Sequence, residues 1–265
     1  MNVFKESWSW APGTWGELIQ GEKNGQRLLV GLPSPRGTFA YASLHHRPPL
    51  VPPVICSQLR WKARKAVRLL LEYFGETNVQ IRLRFISTLQ SGVGNASSSA
   101  DIFSALNATL RLLGRNASDA LLCNIASQVE PTNPTIIPKA CLFDPDGGVI
   151  IGKENLPSFN ILPLSGGKPI DTIQARSRRP RWKASEQKEF DRILSMAQTA
   201  LGRGSLKEIA NVSTRSALLY AQRYSRSDIC KAWNEAKKIG ALGIAASHSG
   251  SSVVALLPSK DSAHV

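Results

Sequence analysis

Residues 78–106, NVQIRLRFISTLQSGVGNASSSADIFSAL, change their apolar period across one short loop, and this change constrains the fold more than any other stretch. Val79, Ile81, Leu83 and Phe85 alternate with Gln80, Arg82 and Arg84, the period of a half-buried strand. From Ala100 onward, Ile102, Phe103, Leu106, Leu110 and Leu113 recur at helical spacing as far as Gly114, with Ser97 or Ser98 placed to cap the helix. A glycine loop therefore leaves a strand and enters a helix N-terminus. Such a loop presents free backbone N–H groups at the positive end of a helix dipole, which suits a phosphate, and its serines add hydroxyls for phosphate or Mg²⁺. A flexible turn with an ordinary serine cap is the other reading of the same residues. The loop is not a Walker loop, since no Gly-Lys-Ser/Thr follows. It is not a full Rossmann turn either, since Ser97 stands where the third glycine would fall.

The chain of 265 residues is 42% hydrophobic, enough for one large or two modest domains. Its formal charge of +14, from 33 basic and 19 acidic residues, favours an anionic partner: nucleic acid, a membrane surface or a nucleotide. The basic residues are dispersed apart from RWKARK at 60–65 and RSRRPRWK at 176–183, and neither cluster is a nucleic-acid motif. Cys56, Cys123, Cys141 and Cys230 form no C-x-x-C pair, so they read as buried or idle thiols. With neither a signal-like start nor a run of 18 apolar residues, the chain reads as soluble and cytoplasmic.

Before residue 57 the sequence is β-rich, with WSWAPGTWGELIQG, RLLVGLP and GTFAYASLHHR as three strands separated by turn residues. A helix is expected over about 57–74 and another over about 118–128, followed by a hairpin in CLFDPDGGVIIGK with its turn at 144–148. Beyond residue 153 come a strand FNILPL, a basic loop, three helices near 185–201, 205–220 and 226–239, and a terminal hairpin. We place domains at 1–152 and 153–265, in an α+β architecture.

Three separated segments then line up with one family. APGTWGELIQG at 11–21, SGVGNASSSADI at 91–102 and GALGIAASHSGSSVVALL at 240–257 resemble the three motifs of the GHMP kinases. With EPTNPT at 130–135, the details are similar to the L-threonine kinases of cobalamin side-chain synthesis. The resemblance implies an N-terminal domain like domain 2 of ribosomal protein S5, a ferredoxin-like C-terminal domain, and a site between them. It implies ATP, Mg²⁺ and a small hydroxylated acceptor, an amino acid or amino alcohol. It makes nucleic acid an unexpected partner, implies no membrane, and leaves a homodimer open. By the same resemblance, Ser91, Gly92, Val93, Gly94, Asn95, Ala96, Ser97 and Ser98 line the triphosphate, and Ser98 with Glu130 holds Mg²⁺, a hard ion that keeps few protein ligands. Thr14, Trp15, Glu17, His248, Ser249 and Gly250 face the acceptor: Glu17 for an ammonium, and the Ser249 to Ser251 backbone with His248 for a carboxylate.

The chain departs from the threonine-kinase pattern at four positions. Asn133 replaces the aspartate suited to accepting the hydroxyl proton, and an amide cannot do that. Catalysis then rests on positioning and charge, or the kinase is inactive. Val93 replaces a lysine, which leaves Lys62, Arg64 and Lys65 as candidates for its charge. Asn95 replaces an apolar residue and Trp15 a cysteine. A non-catalytic nucleotide- or nucleic-acid-binding protein on the same fold is the alternative function.

Overall fold

The alternating segment at 79–87 is a strand, and it flanks the hairpin on which the chain is organised. The computed structural model describes residues 6–46, 52–76, 78–165, 180–247 and 250–259. Strands β1 (Glu6–Lys23) and β2 (Gln26–His46) form a long antiparallel pair, closed by Asn24 and Gly25 with φ of 52° and 79°. Asn-Gly with positive φ at both turn positions matches the twist of a hairpin. Added to these are β3 (Val54–Ile55), β4 (Val79–Ser87), β5 (Ala140–Asp144), β6 (Val149–Glu154), β7 (Asn160–Ser165), β8 (Gly243–Ala246) and β9 (Val253–Leu257). The sheet order is β3-β4-β2-β1-β8-β9-β7, with β5 pairing β2 and β6.

The expectation of three N-terminal strands needs correction. RLLVGLP and GTFAYASLHHR are one strand, because Gly31 to Gly37 stays extended against β1 instead of turning. The irregularity is shared: between Pro12 and Thr14 the extra residues are Ser34 to Arg36 of β2, while between Thr14 and Glu17 and between Glu17 and Ile19 the extra residue is on β1. Pro12 lacks an N–H and Gly16 has a φ of 109°, so a regular ladder fails there and the strand bulges.

The helices are α1 (Trp61–Phe74, after a 3₁₀ turn at Gln58–Arg60), α2 (Ser97–Leu113), α3 (Asp119–Val129), α4 (Ala184–Arg203), α5 (Leu206–Tyr224) and α6 (Ser227–Lys238). Left-handed glycines end α1 at Gly75 and α2 at Gly114, and the Ser118 hydroxyl caps α3 by accepting from Leu121 N–H. Three apolar cores result. In the first, α1–α3 cover the Ala11, Ala40, Ala42, Ile81 and Leu83 face of the sheet. In the second, Phe190, Ile193 and Ile209 pack on Leu18, Ile19, Leu28 and Val30 from the far half of the β1–β2 hairpin. In the third, Ile229 and Ala236 cover Ile244, Val253 and Ala255. Buried on both faces, β8 and β9 are continuous apolar runs without alternation. The remaining basic loop, including residues 176–179 of the second basic cluster, lies outside the described residues. Burial pushes the thiols of Cys123 and Cys141 up, to about 12 and about 11, so both stay protonated at neutral pH.

Gly243 marks a close helix–sheet approach, because a Cβ there would collide with the Ala210 carbonyl oxygen of α5. Gly202, inside α4, has open space around it. Gly243→Ala should lower the unfolding free energy by about 1–3 kcal/mol. Gly202→Ala should raise it by about 0.5–1 kcal/mol. Urea denaturation of the two variants checks both signs.

Candidate active site

Three loops that are distant in sequence close on one another where β1 bulges. The Thr14 N–H donates to the Asn95 carbonyl at 2.9 Å, tying β1 to the glycine loop. From the other side, the Ser252 N–H donates to the Val93 carbonyl at 3.0 Å, and the Ser247 N–H donates to the Ser252 carbonyl at 2.9 Å. Packing there leaves no room for side chains. A Cβ on Gly13 would lie 2.5 Å from the Asn95 oxygen, one on Gly94 would lie 2.5 Å from Ser247 Oγ, and one on Gly250 would strike the Val93 carbonyl.

The glycine loop delivers its helix as the change of period predicts, with one correction. Neither Ser97 nor Ser98 caps α2. The N-cap is Ala96, held left-handed at φ 55°, with no side-chain cap and no acidic residue in the first turn. Left-handed Gly92 and Gly94 curl the preceding chain, so that Ser97 to Ser99 already form the first helical turn. The Ala100 N–H is bonded to the Ala96 carbonyl, and the N–H groups of the first turn lack intrahelical acceptors. An uncapped, uncompensated helix N-terminus is an anion site. Around it, Thr14 Oγ1, Asn95 Oδ1, Thr135 Oγ1 and Ser247 Oγ are buried with no hydrogen-bond partner among the described residues. Groups left this way in a protein interior are costly unless a ligand satisfies them.

Beside the loop, Asn133 is buried in a tight polar network. Its Nδ2 donates to Glu17 Oε1 at 2.9 Å, and its N–H donates to Ser99 Oγ at 3.1 Å. The Thr132 hydroxyl also donates to Ser99 Oγ, at 2.9 Å. Asn133 Oδ1 lies against Gly31, where a Cβ would sit 2.5 Å away. Glu17, expected to await an ammonium, is therefore already engaged by the amide.

Two carboxylates, Asp101 on α2 and Glu130 at the end of α3, each meet a cation from the start of α1. Lys62 Nζ donates to Glu130 Oε2 at 2.5 Å. Arg60 pairs with Asp101, which also accepts from Thr38 Oγ1 at 2.9 Å. Burial raises the Asp101 pKa, more than the facing Arg60 and the Thr38 hydroxyl lower it, and the negative charge of Glu130 adds to the rise. The first basic cluster thus becomes a pair of site cations, while Val93 is buried and carries no charge into the loop. Lys65 reaches the Gln128 carbonyl, at 3.5 Å.

Trp15 packs against the second core beneath Arg36, whose guanidinium carbon lies 5.5 Å from the ring centroid. The Gly250 carbonyl accepts from Arg226 at 2.8 Å, and Arg226 is held by both oxygens of Asp228. His248 and Ser249 lie outside the described residues. Sequence reasoning missed Ser99, Arg60 and Asp101. Asp101 had a signal, a carboxylate one turn into an apolar helix, whereas Ser99 looked like one more loop serine.

A strand, a glycine loop and an uncapped helix, closed over by both ends of the chain, define a phosphate-handling α+β protein. The comparisons narrow that class. The family model for the GHMP kinases N terminal domain matches residues 62–136, and that for the GHMP kinases C terminal matches residues 197–264. Together they span more than half of the chain. An L-threonine kinase of Salmonella typhimurium is 25% identical over 94% of this chain and 82% of its own length. An L-threonine kinase of Citrobacter freundii is 29% identical over 61% and 54%. The crystal structure of a homoserine kinase from Cytophaga hutchinsonii superposes with a TM-score of 0.71 at 17% identity, covering 98% of this chain and 88% of that one. This chain belongs to the GHMP kinases and is a phosphotransferase acting on a hydroxyl. The expected two-domain α+β fold of that family is the fold observed.

Gly94→Ala should weaken ATP affinity and lower stability together, because the new methyl separates the glycine loop from Ser247. Adding Ser247→Gly should recover part of both losses by removing the facing side chain. Calorimetric titration and thermal melting of the single and double variants check this.

Proposed function

We propose that the chain transfers the terminal phosphoryl group of ATP to the hydroxyl of a small amino acid or amino alcohol, with L-threonine and L-serine the first candidates. One observation carries the reading: the uncapped α2 N-terminus meets the buried Asn133–Glu17 pair beneath hydroxyls that have no partner among the described residues. The L-threonine kinase relatives support the acceptor class and favour the kinase over a non-catalytic binding protein. We retain 1–152 and 153–265 as the two domains, with residues 91–98 cradling the phosphates.

Ser98 and Glu130 would hold Mg²⁺. Both offer hard oxygen, and Glu130 already attracts a cation, the Lys62 ammonium at 2.5 Å. The metal supplies charge neutralisation on the transferring group. The chain's own residues do the rest. Backbone N–H groups of 91–98 fix the phosphates, and the Lys62 ammonium adds a positive charge where Val93 supplies none. Glu17 locks the amide of Asn133, which orients the acceptor hydroxyl and takes no proton. The acceptor oxygen bonds to the γ-phosphorus as its bond to the bridging oxygen breaks, releasing ADP, and the hydroxyl proton leaves late toward phosphoryl oxygen or water. Thr14, Trp15 and Gly250 would bound the acceptor side.

ADP release measured over a panel of hydroxylated amino acids and amino alcohols, with and without Mg²⁺, should show Mg²⁺-dependent turnover with at least one of them. A wild type silent toward the whole panel would sink the proposal. Glu130→Gln should cut that turnover far more than it changes ATP affinity measured without Mg²⁺. Equal turnover at ordinary Mg²⁺ levels would remove Glu130 from the metal site.

Asn133→Asp gives a sharper result. It would set a second buried carboxylate against Glu17, and two carboxylates in contact resist double ionisation, which raises the pKa of the pair in the folded state. The raised folded pKa makes the variant least stable above the carboxylate range and lets stability recover as pH falls through it. Turnover should gain little. A rise of roughly 10²–10⁴, the usual contribution of a positioned base, would show that the wild type is an enzyme lacking its base.

A further inference from the structure

The helices of the first core cover one face of β1, β2 and β4, and the opposite face carries a patterned surface of a different kind. Residues of alternate parity point there: Glu6, Trp8 and Trp10 on β1, Phe39, Tyr41 and Ser43 on β2, and Arg82, Arg84 and Ile86 on β4. Trp8 is 54% exposed, Trp10 41%, Phe39 49% and Ile86 65%. Aromatic side chains bury about 150–250 Å² each, so this face leaves bare on the order of 400 Å² of apolar surface, the size at which patches mark interaction sites. Trp8 and Tyr41 pack with ring centroids 4.8 Å apart and planes tilted by 58°, and Tyr41 hydrogen-bonds to Glu6, holding that carboxylate on the face.

The register sorts these residues into three rows across the strands. Glu6 pairs with Ser43 and Ser43 with Arg82; Trp8 pairs with Tyr41 and Tyr41 with Arg84; Trp10 pairs with Phe39 and Phe39 with Ile86. Each row therefore carries complementary chemistry at its two ends: acid and base, indole and guanidinium, indole and aliphatic. Within one chain those ends stand two strands apart, about 10 Å, too far for contact. Among the described residues, neither Arg82 nor Arg84 has an ion pair of its own.

We propose that this face binds a second copy of the chain, face to face, about a two-fold axis running along β2. Rotation about that axis keeps each row level and reverses it. Glu6 then meets Arg82 of the partner subunit, Trp8 meets Arg84 of the partner subunit, and Trp10 meets Ile86 of the partner subunit. Phe39 and Tyr41 lie on the axis against their own counterparts. The contact is isologous, as a two-fold requires, and packs two sheets in the aligned manner of a β-sandwich. A face that carries Glu6 as well as its arginines suits a copy of itself better than it suits a polyphosphate.

Charge reversal tests the row pairing directly. In sedimentation velocity at physiological salt the wild type should dimerise, and Glu6→Arg and Arg82→Glu should each weaken dimerisation roughly tenfold or more by opposing like charges. Mixing the two variants should restore dimers, because the arginine introduced at position 6 then faces the glutamate introduced at position 82, while the unmutated Arg82 faces the unmutated Glu6. Unchanged far-ultraviolet circular dichroism and ATP affinity in each variant would show that the fold and the nucleotide site are intact. A monomeric wild type at tens of micromolar, or a mixture no more dimeric than its components, overturns the proposal. So does a monomer whose tryptophan fluorescence is quenched by a single-stranded oligonucleotide, which would give the face to nucleic acid.

Discussion

The bulge in β1 is the constraint on which the rest of the structure depends. Ala11 of this strand belongs to the first core and Leu18 and Ile19 to the second, so one strand is shared by both halves of the molecule. A regular ladder across 12–19 would carry one face straight through. Pro12, Gly13 and Gly16 interrupt it, and the interruption turns the Thr14 N–H toward the glycine loop and Glu17 toward Asn133. The single β1–β8 pairing, Glu17 with Ala246, then brings the C-terminal loop to the same point. The site is thus a by-product of how one irregular strand joins two cores.

Electrostatics at that junction follows from a helix start, not from the net charge. Of the +14, the two cations that reach the site carboxylates are Arg60 and Lys62, delivered by one turn of chain entering α1. Burying such pairs costs desolvation that their attraction only partly offsets, which is why Asp101 remains shifted upward even with Arg60 against it. They place two cations at the start of α1, close to a glycine loop whose buried Val93 carries no charge.

Asn133 illustrates a substitution that the structure absorbs. Its amide donates where an ionised aspartate could not, and the buried carboxylate that accepts from it is Glu17. Ser99 holds the backbone of the same residue and couples it to the first turn of α2. The first turn of α2 and the 132–133 segment therefore share one hydroxyl.

The glycine loop, the strand before it, the helix after it, the hairpin at 140–154 and the three C-terminal helices were legible in the sequence. Period, turn residues and caps act over a few neighbours, and the family motifs sit on those same local elements. The boundaries failed where local signals mislead: Gly31 to Gly37 read as a turn and are strand, and Ser97 read as a cap and is helix. What the sequence alone determined was the elements and the class of chemistry. The tertiary structure decided which groups meet: Glu17 with Asn133 across 116 residues, Lys62 with Glu130 across 68, and Gly94 with Ser247 between loops far apart in the sequence. Those meetings depend on strand register and on where the ladder breaks, and both are set by packing across the whole sheet, beyond the reach of any local window of residues.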